Sequence, residues 1–311
     1  MNIYKALVKR EILEGKNGYI RVPLILSAIA LAFLIFSAIG FGNVIHFDGM
    51  EKEGIGNVGD AISLMQGKKP EELPLAITMM YWFTTSLPWV ALPFVIFFSL
   101  LGSLYEERRD RSILFWKSMP IADWQEVLVK LFVPIFVAPL VFLAVIIAAQ
   151  LAVAIFMTIV VLFQGGPALE MLPLGYMITT WFAFLGHYLL GMLWMLPFLA
   201  WLLLVSAFSG RMPFLWAILP PGILIAIEGI FFKSASIAKW ISIHLGGWRV
   251  MLEDKLGHVD PDTPREVFDL IVSGSLSASL SVTFSSIYFW TGLIIAAAFV
   301  YAAIETRKRA I

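Results

Sequence analysis

The chain has 311 residues, of which 60% are hydrophobic and 14% are charged, and its acidic and basic side chains are equal in number. Soluble domains carry about 25% charged residues, so this composition excludes an ordinary soluble protein. The chain contains no cysteine, which excludes disulfides, thiol nucleophiles and thiolate metal sites. The composition therefore predicts an all-α polytopic membrane protein.

Six apolar runs are long enough to cross a bilayer, which takes about 20 residues of helix. They predict six transmembrane helices at Val22–Phe41, Tyr81–Leu104, Leu131–Phe156, Leu174–Phe208, Phe214–Phe232 and Phe284–Ile304. The fourth run exceeds one straight crossing. We expect a single tilted helix there, because the stretch from Trp181 to Ser206 offers no hydrated turn. A break near Pro197 would instead make seven spans.

The basic residues predict the orientation of these spans. If the N-terminus is cytoplasmic, 14 of the 22 basic residues fall in cytoplasmic segments, mostly close to a span end. The other eight fall in two long external segments, Gly42–Met80 and Lys233–Thr283. The positive-inside rule then favours both termini in the cytoplasm.

The two long external segments contain local signals of their own. The sequence predicts a short helix near Asp60–Gln66 and another through Arg265–Val272, which Asp262 or Thr263 could cap. The serine-rich run Ser273–Ser281 predicts a flexible or extended linker.

The segment before the first span, residues 1–21, predicts an amphipathic helix at the membrane surface. Tyr4, Leu7, Val8 and Ile12 share one helical face, and the basic residues lie elsewhere. Such a helix places its apolar face in the headgroup boundary and its bases near anionic lipid.

The charged segment Tyr105–Lys130 lies between the second and third spans. Its run Glu106–Arg111 extends the second span beyond the membrane. The stretch Ser112–Met119 is mostly apolar and carries large side chains, and Pro120 predicts a turn before a new helix near Asp123. Large apolar side chains on a water-facing connector are a liability unless a partner covers them. The segment therefore predicts a docking site.

This segment resembles the coupling segment of ABC-2-type export permeases, the membrane subunits driven by a separate ATP-binding cassette ATPase. Such permeases typically show a charged run ending in Gly-Thr, an apolar half-turn, Ser/Thr-x-Pro-x-Ser and a helix ending in Lys. The chain retains these features at Glu106–Arg111, Ile113–Trp116, Ser118–Pro120 and Lys130. It departs from them in having Arg111-Ser112 for Gly-Thr and Ala122-Asp123 for Ser-Arg. The stretch Ser206–Pro221 also resembles the cytoplasmic turn between spans four and five.

The resemblance implies a multi-pass permease of the plasma (inner) membrane that exports an unidentified substrate. Its partners would be a cassette ATPase, a second copy of itself or a related permease, and the lipid bilayer, with no nucleic acid. The chain has no phosphate-binding G-x-x-x-x-G-K-[ST] loop. We therefore expect no enzyme activity and no cofactor in this subunit, with ATP and Mg bound by the partner. The residues expected to couple to the ATPase are Glu106, Glu107, Arg108, Arg109, Arg111, Phe115, Trp116, Ser118, Met119, Pro120 and Asp123.

Two alternatives are a CAAX-type intramembrane protease and a non-transporting membrane adaptor. The run Glu106–Arg111 also satisfies Glu-Glu-x-x-x-Arg, the glutamate motif of those proteases. They also need a Phe-x-x-x-His motif, and Phe184 is one residue too close to His187. The protease interpretation is therefore the weaker one.

Three residues with a carboxylate, imidazole or amide side chain fall inside predicted spans, where each carries a free-energy cost unless it meets a partner or a wet cavity. They are Gln150, His187 and Glu228. We expect helix–helix hydrogen bonds from Gln150 and His187. Glu228 is expected either at the membrane rim or in the transport pathway. None of them predicts a metal site.

Overall fold

The computed structural model describes residues 3–40, 57–247 and 275–310. Within these ranges the regular structure is helical and contains no strand. We number the helices in chain order: α1 Ile3–Glu14, α2 Val22–Gly40, α3 Val58–Lys68, α4 Leu73–Thr84, α5 Ser86–Arg109, α6 Ile113–Lys117, α7 Asp123–Phe132, α8 Ala138–Phe163, α9 Leu174–Trp194, α10 Leu196–Phe208, α11 Pro213–Ile227, α12 Ser236–Ser242, α13 Ser275–Ser285 and α14 Ile287–Arg309. Single π-helical turns lie at Asn17–Arg21, Val133–Val137, Glu228–Phe232 and Ile243–Gly247.

Six helical segments within the described ranges are long and apolar enough to cross a membrane. They are Asn17–Phe36, Ser86–Arg109, Asp123–Phe163, Ala168–Trp194, Pro213–Phe232 and Ile287–Arg309. The predicted class, a multi-pass helical membrane protein, is confirmed. The third segment has 41 residues, or roughly 60 Å at 1.5 Å per residue, so it extends well beyond a hydrocarbon core of about 30 Å.

The prediction of one helix over Leu174–Phe208 is wrong. The chain leaves the helix at Met195, between α9 and α10. Pro197 explains the break, because it has no N–H to donate to the carbonyl of Leu193, and it takes a position in the first turn of α10 where that donor is dispensable. Helix α10 has 13 residues, about 20 Å, which is too short for a separate crossing.

The described parts of the two long connectors are more helical than expected. The short helix predicted near Asp60–Gln66 is present as α3, and Asn57 caps it through a capping box with Asp60. Helix α4 follows it and ends at Thr84, so the second span begins at Ser86 rather than at Tyr81. The linker prediction for Ser273–Ser281 is wrong from Ser275 onward, where α13 begins. The predicted helix Arg265–Val272 lies outside the described residues.

The core of the bundle is formed by α5, α10 and α14. On α5, a buried residue recurs every four positions, at Leu92, Ile96, Leu100 and Leu104, which gives one continuous apolar stripe. Helix α10 packs along both α5 and α14. A hydroxyl links the ends of α5 and α10, because Ser206 Oγ accepts from the backbone N–H groups of Leu104 and Tyr105 at 2.8 and 2.9 Å.

Candidate functional site at the charged end of the bundle

Four segments that are distant in sequence meet at one end of the bundle. They are α1, the last turn of α5, helix α7 and the last turn of α14. Helix α1 packs on α7 through Leu7, Val8 and Ile12. Protein therefore covers Leu7 and partly covers Val8 and Ile12, whereas Tyr4 on the same predicted face is 46% exposed, so this face is not left wholly to the lipid headgroups.

Seven charged side chains, which we call the ion cluster, hold these segments together. Lys130 Nζ lies 3.1 Å from Glu11 Oε2 and 2.9 Å from Glu107 Oε1. Arg307 donates to Glu107 Oε2 at 2.6 Å and also to Glu126. The members of the ion cluster are Arg10, Glu11, Glu107, Asp123, Glu126, Lys130 and Arg307.

Burial makes the ion cluster a geometric constraint more than a source of stability. Lys130, Glu107 and Arg307 are almost completely buried, so each has lost its hydration. The mutual attraction of buried charges only about offsets that loss, whereas removing one partner leaves a charge uncompensated. The arrangement therefore fixes how four helices meet.

Helix α6 protrudes beside the ion cluster. Leu114 and Phe115 are 54% and 56% exposed, whereas Ile113 is buried. Trp116 turns inward, and the guanidinium carbon of Arg10 lies 4.0 Å from the centre of its ring, as in a cation–π pair. The prediction that Trp116 and Met119 are exposed with Phe115 is wrong, because both are half-buried.

Both ends of α6 are fixed to the bundle. Before it, Asp110 Oδ1 accepts from the backbone N–H of Ser112 at 3.0 Å, and this bond lowers the pKa of the Asp110 carboxyl. Arg111 between them has a φ of 64°, in the left-handed region. After it, Lys117 Nζ donates to the carbonyls of Lys308 and Ala310, at 3.0 and 2.5 Å. The last turn of α14 therefore braces α6.

The predicted coupling residues divide into two groups. An exposed group lies on and around α6: Glu106, Arg109, Arg111, Phe115, Ser118 and Pro120. A second group makes contacts within the chain. In it, Glu107 and Asp123 belong to the ion cluster, while Arg108 donates to the carbonyls of Ser206 and Ser209 at 2.6 and 2.9 Å.

The sequence prediction missed Arg10, Glu11, Glu126 and Arg307 as members of the site. One signal was available for two of them: Glu126 and Arg307 lie within a turn or two of a predicted span, where an uncompensated charge is costly. Their pairing could not be read from the sequence, because Glu107 and Arg307 are 200 residues apart.

A cavity of about 660 Å³ opens beside the ion cluster, between α1 and α5. Its polar walls include Glu14, Glu106 and Asp110, and its apolar wall includes Phe94 and Phe98. Partial burial raises the pKa of the Glu14 carboxyl, although Lys130 and Arg10 act in the opposite direction. The excess of carboxylates makes this wall attractive to cations rather than to anions.

The three polar residues of the spans lie elsewhere. Gln150 Nε2 donates to Thr85 Oγ1 at 3.2 Å, and its Oε1 accepts from Trp181 Nε1 at 2.5 Å. His187 Nδ1 contacts the carbonyl of Ala183 on its own helix at 2.8 Å. The Glu228 carboxylate accepts from Ser234 Oγ and from the first two N–H groups of α12. It therefore caps the next helix.

Residues 3–40, 57–247 and 275–310 contain no group of three or more His, Cys, Asp or Glu side chains that could hold a metal ion. Comparison of the chain with models of protein families, with curated proteins and with solved structures finds no match.

Proposed function

We propose that this chain is the membrane-spanning permease subunit of an ABC-2-type exporter, and that α6 is the helix on which a separate ATPase docks. The observation that carries the proposal is the exposed apolar pair Leu114 and Phe115 on a short helix at the charged end of the bundle. The charged residues Glu106, Arg109 and Arg111 flank this apolar pair, so it would not lie in the hydrocarbon of a membrane. A protein partner with an apolar groove would cover the pair.

The connections of α6 support a role in force transmission. A push on this helix would reach α1 through the Arg10–Trp116 contact and α14 through Lys117. It would reach α5 and α7 directly along the chain. A docking helix that is rigidly joined to four others can move spans against one another, as alternating access requires.

The backbone at Arg111 gives independent support. The resembling permeases typically have glycine at this position, and glycine adopts a left-handed backbone without strain. The φ of 64° at Arg111 is a conformation of that kind. The departure from the family pattern therefore concerns the side chain and leaves the turn itself in place.

The proposal also covers orientation, assembly and location. Both termini and α6 would face the cytoplasm of a cell with an inner membrane, and two copies would form the pathway with two ATPases. ATP and Mg would bind to the ATPase. The protease alternative has less support, because Glu107 of its glutamate motif is committed to Lys130 and Arg307.

The test is a double substitution, Leu114→Ala with Phe115→Ala, in the full chain purified from its native host. Anchors of this size are often worth 2 kcal/mol or more on truncation, and a loss of about 2.7 kcal/mol weakens binding about a hundredfold. We expect a cassette ATPase, identified by mass spectrometry, to copurify with the native chain and to be lost from the double variant.

Leu169→Ala is the matched control, because Leu169 is 84% exposed in the turn between α8 and α9. It should retain the ATPase. The proposal fails if no such ATPase accompanies the native chain, or if the double variant retains it with ATP hydrolysis unchanged. We leave Trp116 intact because its truncation would also break an internal contact.

A further inference from the structure

The cavity beside the ion cluster follows one face of α5, and the character of that face changes along its length. The residues of this face lie four positions apart and all line the cavity: Phe94, Phe98, Gly102, Glu106 and, just after the helix, Asp110. Residues at this spacing share one side of a helix. The face therefore changes from aromatic to acidic between Phe94 and Glu106, over about 18 Å of helix.

The aromatic end of this face lies inside Ser86–Arg109, a segment that can cross a membrane. Phe94 and Phe98 are 62% and 60% exposed. In a bilayer, lipid chains or a second copy of the chain would border them, and both are apolar at this depth. This end of the cavity therefore suits the hydrocarbon part of a ligand.

A glycine keeps the middle of the cavity open. If a Cβ were added at Gly102, its three nearest neighbours would all be atoms of the Glu106 side chain, with Oε1 closest at 3.2 Å. The Glu106 carboxylate therefore turns back along α5 toward the aromatic end, which is the usual direction of side chains on a helix. Its negative charge is thus next to the open middle of the cavity.

The walls of the cavity stay acidic after the internal ion pairs are taken into account. Five carboxylates line it, and Lys130 is the one basic side chain among the described residues that do so. Lys130 pairs with Glu11 and Glu107, and Glu14 pairs with an arginine on its own helix. Within the described part of the chain, no hydrogen bond or ion pair engages the Glu106 carboxylate. It is therefore available to a cation that enters the cavity.

We propose that this cavity binds an amphiphilic organic cation, with an ammonium group beside Glu106 and Asp110 and an apolar part along Phe98 and Phe94. The cavity volume of about 660 Å³ falls within the roughly 300–1,000 Å³ of small-molecule pockets. Binding at this site does not depend on an ATPase. That the ligand is also the exported substrate rests on the proposed function.

The acidic wall selects against phospholipids. The ammonium group of a phospholipid head carries a phosphate close to it, and that phosphate would be brought against the carboxylates of Glu106 and Asp110. Like charges placed together in this way oppose binding. An amine without a phosphate avoids this cost, so the favoured ligand is a free amphiphilic amine rather than a membrane lipid.

Binding of radiolabelled dodecylammonium to the purified full chain, measured by scintillation proximity in dodecyl maltoside, tests the site. The neutral detergent has the same alkyl chain and is present in excess, so saturable binding requires the cationic group. We expect Glu106→Gln to weaken this binding about tenfold or more, because a hydrogen bond between charged groups is often worth that factor. Dodecylphosphoethanolamine, which joins the same chain to an ammonium group through a phosphate, should compete poorly.

A second variant and a matched control separate the cavity from surface charge. Gly102→Leu places an apolar side chain in the middle of the cavity without changing any charge, and it should also weaken binding at least tenfold. Glu305→Gln removes one carboxylate from α14, at the same end of the bundle but outside the cavity lining, and it should bind like the native chain. Circular dichroism shows which variants fold, and either cavity variant suffices for the test because the two act by different means.

The binding site is overturned by any of four results. They are no saturable binding, native binding in a folded cavity variant, an equal loss in Glu305→Gln, or competition by dodecylphosphoethanolamine as strong as that by unlabelled dodecylammonium. Failure of the exporter proposal is a separate outcome. A chain that binds the cation but copurifies with no ATPase keeps the site and loses the exporter, and a chain that copurifies with an ATPase but binds no cation does the reverse.

Discussion

At the scale of single residues, three turns within the described ranges depend on non-glycine residues with a left-handed backbone. Arg111, Met212 and Lys233 have φ values of 64°, 51° and 49°. Each lies within two residues of a helix end, where the chain changes direction. Such a backbone costs an L-residue roughly 1–2 kcal/mol, and it persists because the helices on both sides are held elsewhere. The turn at Arg111 is the one that positions α6.

Arg111→Gly should stabilise the protein, because glycine removes the strain of the left-handed turn. We expect the free energy of unfolding to rise by roughly 0.5–1 kcal/mol, the strain relieved less the extra freedom that glycine gives the unfolded chain. Reversible unfolding in mixed detergent micelles, followed by circular dichroism, measures the change.

The matched control is Arg109→Gly, in the last residue of α5, where glycine should lower the free energy of unfolding by up to about 1 kcal/mol. If both substitutions destabilise the protein equally, the turn at Arg111 is not strained. The comparison with the glycine that the resembling permeases have at this position then loses its physical basis.

At the scale of helices, the ion cluster decides how α1, α5, α7 and α14 meet. It lies at the level where α7 exposes Trp124, Leu128 and Phe132 on its outer face. These residues recur every four positions, so they form one apolar stripe facing away from the cluster. Lys130 is on the opposite side of α7 and almost completely buried. The charges are therefore enclosed by protein while the same helix presents an apolar face outward.

Lys130→Met tests the cluster, because it removes the shared partner of Glu11 and Glu107 with little change in side-chain volume. Leaving buried carboxylates without compensation should lower the free energy of unfolding by about 3 kcal/mol. Lys5→Met, an exposed change on α1, should alter it by less than about 0.5 kcal/mol.

Adding Glu107→Gln to Lys130→Met should recover part of the loss, since one uncompensated charge is then gone. A double variant less stable than the sum of the two single changes would mean that packing, rather than charge, governs this contact.

At the scale of the whole molecule, the ion pairs place α1 and the end of α14 on the same face, next to α6. The turn between α8 and α9 lies at the far end of the 41-residue third segment. An even number of membrane crossings would place α1 and the end of α14 on one face in this way. The break at Met195 adds no crossing, because α10 is too short for one. The short helix α10 ends near the charged end of the bundle, where Ser206 is hydrogen-bonded to the backbone of α5.

The absence of cysteine allows this arrangement to be tested with single thiols. We expect a thiol at Leu169→Cys to react with a membrane-impermeant reagent in intact cells. A thiol at Ser118→Cys, exposed beside α6, should react only after the membrane is permeabilised. The proposed orientation is wrong if this pattern is reversed, and an odd number of crossings is indicated if both positions react in intact cells.

The sequence by itself determined that the chain is helical, that six segments can cross a membrane, and that Tyr105–Lys130 is a charged connector with an apolar centre. These features depend on local composition and periodicity, because the thickness of the bilayer sets how many consecutive apolar residues a spanning helix needs. It could not determine that α1 packs on α7, since an amphipathic helix suits protein and lipid surfaces equally well. It also could not place Trp116 under Arg10 or pair Glu107 with Arg307. Those contacts join residues up to 200 positions apart, and only the packing of the helices in three dimensions decides them.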